Sequence, residues 1–450
     1  MLKLSGHWKS QTFSIFLSLA SILFWVLGAA PAVMSPDSLE SWRQLKVWDF
    51  WDGHPVVFTI WLWVTSFFGQ SLFLAAIIQE ILLFGTIYFV LKKILADRSW
   101  PLVLMLTSLL NFTPFFGQMG VTIWKDVPYV AFTLIGIVLY FSGISVTKNR
   151  LFGLLSFSFG ALMRHDGILF AFMYFCILLF FYRQIYHKSS LKVFQLGKEL
   201  VVSLILIFCA STFVPQILNA SPVTQSQSTY PLVHDIAFVE SLYPGKLPAN
   251  VREQIKLIVT DDSLQGAKKC GRVEDMILSP GYNNEYIDQH PGLIPRLWLE
   301  SIKSSALEKM LRVHFCRAKA FLPGVYPQTY VWTYFAIDQN LLGLKPFNST
   351  STFYAFAAKW SYKWSEVGRA IAHPGTWALA SLFCFLWFRK RNFIILIAIL
   401  GAGIVKNLQN IVYTTGPYYR YGYLTQISGI IGVIFFIEHL GKSKQQKTKS

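Results

Sequence analysis

Long apolar stretches separated by short, basic connectors dominate the chain. Apolar helices are predicted at about 12–32, 71–91, 101–118, 127–146, 151–164, 167–182, 200–218, 374–388, 392–406 and 420–438. Most of these runs approach the ~20 residues that carry an α-helix across a bilayer. They are continuous rather than alternating with period two, which argues against a transmembrane β-barrel. The run "HPVVFTIWLWVTSFFG" at 54–69 is shorter and bounded by polar residues. The expected fold is therefore an all-α polytopic membrane protein of about ten transmembrane helices. An outer juxtamembrane helical region and a large extracytoplasmic loop domain complete it.

Composition sharpens this picture. Of 450 residues, 54% are hydrophobic and 14% charged, and the net charge is +17. In a soluble protein that charge would suggest nucleic acid as a partner. Here the basic residues fall in short loops, as positive-inside topology requires, so no nucleic-acid partner is expected. If 54–69 does not cross the membrane, an inside N-terminus places Lys92, Lys93, Arg98, Lys148, Arg150, Arg389, Lys390, Arg391 and Lys442 in the cytoplasm. A crossing at 54–69 would move most of the basic residues outside. We therefore read it as a juxtamembrane helix, with both termini cytoplasmic in a bacterial inner or plasma membrane. The run 12–32, with "GAAPA" near its end, also has features of a signal peptide, but its length favours an uncleaved span. Three divisions follow: 1–218, 219–373 as an extracytoplasmic loop or lid domain, and 374–450.

With that parity, the polar clusters fall on one side of the membrane. They are Asp37 in "SPDS", Asp52 and His54 in "WDFWDGHP", Lys125 and Asp126 in "VTIWKDVPY", and Arg164, His165 and Asp166 in "MRHDG". His234 and Asp235 in "YPLVHDIAF" and Lys406 and Arg420 in "KNLQNIVYTTGPYYRYGY" complete the set. Each has an ordinary structural explanation when taken singly. An Arg at a helix end snorkels to head groups, Asp37 after Ser35 and Pro36 starts a helix, and "KNLQN" at 406–410 reads as a solvated turn. Asp37, Asp52 and His54 share the first outer loop, so five segments converge on one face, which favours a site because ionisable groups at the membrane edge face a cavity by default. Cys270 and Cys316 share the long polar segment and form a candidate disulfide in an oxidising compartment. No spacing of ligands points to a metal, and a divalent ion is left open.

In this order, the early Asp, "DGHP" before an apolar juxtamembrane helix, "WKD" and "RHDG" resemble the GT-C superfold of membrane glycosyltransferases. Protein mannosyltransferases and the aminoarabinose transferase of lipid A modification share that layout. The resemblance implies a polyprenyl-phosphate-linked sugar donor and transfer on the extracytoplasmic side to a lipid, glycan or protein acceptor of the cell envelope. It also implies an acid of the first outer loop at the reacting centre. Asp37 matches that acid, with Asp52 as competitor, because the acidic pair common in the family is Asp37–Ser38 here. Lys125, Arg164 and Arg420 are the phosphate-binding candidates, since Arg holds phosphate bidentately and Lys as a point charge. His54, Asp126, His165, Asp166, His234 and Asp235 are candidates to orient these groups or the sugar. The competing expectations are a transporter or flippase of a lipid-linked or anionic substrate, and a ligase of lipid-linked glycans. A transporter would place its charges at mid-depth between repeats.

Overall fold

The computed structural model describes residues 2–142, 147–186, 190–269, 273–324, 335–347, 351–367, 373–389, 393–413 and 419–447. Among them every regular element is helical, and β pairing is confined to isolated bridges. The first half contains α1 (Leu2–Gly28), α2 (Pro36–Val47), α3 (Val56–Thr65), α4 (Leu72–Ile94) and α5 (Trp100–Asn111). A π turn (Pro114–Gln118), α6 (Met119–Val121), α7 (Asp126–Ser142), α8 (Thr147–Leu162), α9 (Gly167–Tyr186) and α10 (Ser190–Ile217) follow.

Among the described residues, five stretches are long and apolar enough to cross a membrane: Ser10–Gly28, Leu72–Ile94, Leu196–Ile217, Ile394–Val412 and Arg420–Ser443. Four more are apolar but shorter: α3, α7, Gly167–Phe180 and Pro374–Phe388. Ten residues of α3 rise only ~15 Å, half a hydrocarbon core.

The expected helix over 101–118 is instead broken, with α5 and Pro114–Val121 meeting at 77°. The cause is local: Pro114 lacks an N–H, and it drives Thr113 to an extended conformation, φ −77° and ψ 145°. Carbonyls freed at the break find new donors. The indole of Trp25 donates to Asn111 O at 2.6 Å and that of Trp360 donates to Phe112 O at 3.0 Å. Buried Glu80 accepts from the Asn111 side chain at 2.7 Å. Such compensation is required where water does not reach the backbone.

Small residues set the closest helix pair. A Cβ on Gly136 of α7 would stand 2.6 Å from Phe157 N of α8, and one on Gly153 would stand 2.6 Å from Tyr140 N. The two backbones therefore touch, a packing that only Gly permits.

The described parts of 219–373 divide between two cores. Its first part comprises α11 (Gln225–Leu242), α12 (Ala249–Ile258), α13 (Asp261–Ala267), α14 (Glu274–Ile277), α15 (Asn284–Gln289), α16 (Leu293–Ile302) and α17 (Leu307–Arg317). These helices surround their own core of Val233, Ile236, Val251, Ile255, Ile294, Leu297 and Met310. The expected amphipathic helix over 297–321 is divided: α16 stops at Ile302, α17 at Arg317, and a 3-10 turn covers Ala318–Phe321. Cys316 is disulfide-bonded; Cys270, its expected partner, lies outside the described residues. Residues 335–338 and α18 (Thr352–Val367) return to α1, where Phe335 and Ala357 pack with Trp25.

Three further helices close the chain: α19 (Pro374–Phe388), α20 (Ile394–Val412) and α21 (Tyr423–Lys447), the last preceded by a 3-10 turn over Tyr419–Gly422. Here α20 outruns the expected 392–406. "KNLQN" is not a solvated turn but the last turns of that helix, with Lys406, Asn407, Gln409 and Asn410 buried. Arg420 stands at one end of α21. Near the other end Glu438 pairs with Arg98 at 2.6 Å and Lys442 with Asp97 at 2.8 Å. At 1.5 Å per residue these two charged groups are ~27 Å apart, so they lie at opposite ends of the bundle.

Candidate functional site

Two short backbone ladders assemble the site. Residues 33–34 run between 121–123 and 336–338: Val33 N donates to Val121 O at 3.1 Å, Ile123 N to Val33 O at 3.0 Å and Met34 N to Ala336 O at 3.0 Å. The connector before α2 is thus fixed beside the connector before α7. Two side chains reinforce it. Ser38 donates to Ile123 O, and Trp124 Nε1 donates to Ser35 Oγ at 2.8 Å. Ser35 makes no capping bond to α2, whose first turn begins at Pro36 and contains Asp37. On the other flank, Ser221 N donates to Phe50 O and Asp52 N to Ser221 O, at 2.9 and 2.8 Å, holding the loop of Asp52 and His54.

Asp37 meets Arg420 at 2.6 Å. The guanidinium also lies 5.3 Å over the rings of Trp124 and Tyr421, a cation–π arrangement. Lys125 Nζ stands 3.2 Å from His54 Nδ1. An ammonium has no lone pair, so Lys125 is the donor and Nδ1 the bare nitrogen of a neutral ring. Burial and the Lys125 charge pull His54 down to about 4. Burial also lowers Lys125. For Asp37 burial opposes ionisation, yet Arg420 and Lys125 outweigh it and hold the carboxyl well below its usual range.

A second tier lies against the first. Arg164 bonds to Asp126 and reaches Asp166 at 2.7 Å, and Asp166 also accepts from Lys406 at 2.6 Å. Gln409 donates to Asp166 O at 2.7 Å and accepts from Lys406 at 3.0 Å. The tiers share an aromatic wall, since Arg164 sits 5.2 Å over Tyr421, the ring that also faces Arg420. Asn410 donates to Tyr421 O at 2.7 Å and so anchors that ring to α20. Arg164 makes two ion pairs within the protein rather than snorkelling freely.

Beside Arg164 opens a recess of about 220 Å³ between α3, α8, α9 and α10. Val56, Val57, Ile168, Ile207 and Pro215 give it apolar walls, and Asp52, Arg164 and His165 give it a polar rim. Burial pushes Asp52 up to about 6, against a hydrogen bond from the Val56 backbone.

Of the expected residues, Asp37, His54, Lys125, Asp126, Arg164, Asp166 and Arg420 converge, and Asp52 and His165 line the adjoining recess. His234 and Asp235 do not join them. They are buried in the α11–α17 unit, where Arg317 reaches Asp235 at 2.6 Å and His234 Nδ1 at 2.9 Å. Sequence reasoning grouped Lys406 with the outer polar residues without giving it a role, and it passed over Gln409, Trp124, Tyr421 and Tyr129, whose ring lies under both Arg164 and Lys406. The signal for Lys406 was present: a lysine three residues before a glutamine shares one face of an apolar helix. Among the described residues, no three His, Cys, Asp or Glu side chains converge as metal ligands. Comparison with family models, with curated proteins and with solved structures found no match.

Proposed function

We propose that this chain is a membrane glycosyltransferase of about ten spans. It moves a sugar from a polyprenyl-phosphate carrier to an acceptor at the extracytoplasmic end of the bundle. The reading rests on one observation: Asp37, Lys125 and Arg420 cluster next to Arg164, which itself lines a recess with part-apolar, part-polar walls. A lipid-linked phosphate needs that combination, an apolar wall for its chain and cations for its head.

In an inverting transfer the acceptor hydroxyl oxygen bonds to the anomeric carbon and the carbon–oxygen bond to phosphate breaks. The phosphate leaves with the electron pair, and a carboxylate takes the hydroxyl proton. Cations that balance the departing charge supply most of the stabilisation, so one base suffices. Arg420, Lys125 and Arg164 hold the phosphate. Asp37 becomes the base when Arg420 turns from it to the incoming anion. Asp52 is the second candidate, favoured by its position at the recess and its elevated value of about 6, nearer the operating pH of a general base.

Purified protein incubated with labelled polyprenyl-phosphate sugars and envelope acceptors tests this. Asp37→Asn abolishes transfer while donor binding persists. If Asp52 is the base, activity instead falls as pH drops through about 6 and Asp52→Asn is the inactive variant. Absence of transfer with every donor, together with solute uptake into vesicles, overturns the reading in favour of a transporter.

A further inference from the structure

A second cavity, about 510 Å³, lies between α11, α16, α17 and the last residues of α20, within the usual size of ligand sites. Leu232, Ile302, Met310, Leu311, Phe315 and Val412 make its walls apolar. Its inner end carries the buried Asp235–Arg317 pair, and Arg317 Nε has no hydrogen-bond partner. Helix α17 buries Met310 and Val313, yet its opposite face leaves Leu307, Leu311 and Phe315 40–49% exposed. Four-residue spacing puts those three on one stripe. Uncovered apolar stripes of this kind mark helices that lie in the membrane interface.

Continuity with a membrane-length helix identifies what covers the stripe. His314 Nε2 bonds to Ile411 O at 2.7 Å, and Ile411, Val412 and Tyr413 form the far wall. These residues end the apolar stretch Ile394–Val412. The mouth of the chamber therefore sits where that helix leaves the hydrocarbon. Two residues earlier on the same helix, Gln409 bonds to Asp166 of the charged cluster. Tyr413 is close enough to feel the charge of Asp166.

We propose that this chamber seats the apolar chain of a lipid acceptor, whose hydroxyl-bearing head reaches the charged cluster past Tyr413. The proposal rests on the transferase reading for the word acceptor, and on the chamber alone for the lipid chain. The acceptor hydroxyl loses its proton to the carboxylate base as its oxygen bonds to the sugar and phosphate departs.

The test uses full-length protein in vesicles containing phosphatidylglycerol with a diazirine near the end of one acyl chain. Labelling is mapped by peptide, with the exposed positions Phe16 and Leu19 of α1 as the lipid-facing control. Labelling of residues 302–317 and 411–413 is expected at or above the α1 control. Leu311→Trp, which narrows the chamber, and Phe315→Glu, which charges its stripe, each reduce it about tenfold with an unchanged melting temperature. Both variants leave donor binding intact and raise KM for long-chain acceptors while sparing short-chain ones. Wild-type labelling confined to α1, or labelling indifferent to both variants, overturns the proposal. Chamber labelling without transfer from any donor overturns the acceptor role and the transferase reading while the lipid site stands. Transfer to short-chain acceptors without chamber labelling overturns the site alone.

Discussion

Arg420, from the turn before the last helix, lies 2.6 Å from Asp37, in the first turn of the second. The pair closes the helix bundle on itself and holds the carboxylate ionised. Its side chains remain 17% and 34% exposed, which puts the contact between a surface ion pair and a buried one. A ligand anion can therefore compete for the guanidinium without first unfolding the site.

That intermediate exposure sets the cost of breaking the pair. Arg420→Ala is expected to destabilise by about 1–2 kcal/mol, more than a surface pair and less than a buried one. The double variant with Asp37→Asn recovers part of the loss, because no charge is left uncompensated. Melting temperatures of the three variants in detergent measure the coupling, and strictly additive losses would contradict it.

Asp166 is the centre of a tighter cluster. It faces Arg164 at 2.7 Å and Lys406, itself 1% exposed, at 2.6 Å. Asp166→Asn leaves the lysine buried with only neutral partners, and a loss of about 3–5 kcal/mol is expected. Adding Lys406→Met restores stability toward wild type. Failure of that rescue in a thermal-shift series would show that Asp166 acts through something other than charge balance.

His54 makes stability sensitive to acid. Its native ring titrates at about 4, against ~6.5 in an unfolded chain. Between those values the unfolded state holds a proton that the native state lacks, so this contribution is lost as pH falls from 6.5 toward 4. Asp52, raised to about 6, acts in the opposite direction, with its share declining as pH rises from ~4 to 6. Replacing His54 by Gln should flatten the drop in melting temperature between pH 7 and 5. Replacing Asp52 by Asn should steepen it. Identical pH profiles for wild type and His54→Gln would refute the assignment.

The contact between α7 and α8 has almost no slack. Gly136→Ala places a methyl group 2.6 Å from the Phe157 backbone, and overpacking of this kind costs about 1–3 kcal/mol. Gly85→Ala has nothing within 4 Å of its new Cβ and is the matched control. A lower melting temperature for the first variant alone is the expected result.

Much of the architecture was legible in the chain. Apolar runs located the helices, five of them among the described residues long and apolar enough to cross a membrane, because a bilayer admits backbone only as helices or closed barrels, and the order of the polar motifs grouped most of the site residues. What could not be read was the end of a helix. "KNLQN" looks like a turn because it is polar, and only neighbouring elements make it helical: Asp166 accepts from Lys406 and Gln409, and Phe321 O from Asn407 at 2.9 Å. The same limit put His234 and Asp235 with the wrong partners, since nothing in their own segment specifies Arg317. The break at Asn111 was foreshadowed by Pro114, although the indoles that make it tolerable come from α1 and α18.

The sequence by itself determined a helical membrane protein with acids and bases at helix ends, because hydropathy and charge act locally along the chain. Tertiary structure alone decided which acid faces which base, that Lys406 serves the cluster, and that an apolar chamber opens one turn away. Those outcomes depend on side chains from segments hundreds of residues apart, and pairing energies at that separation leave no local pattern to read.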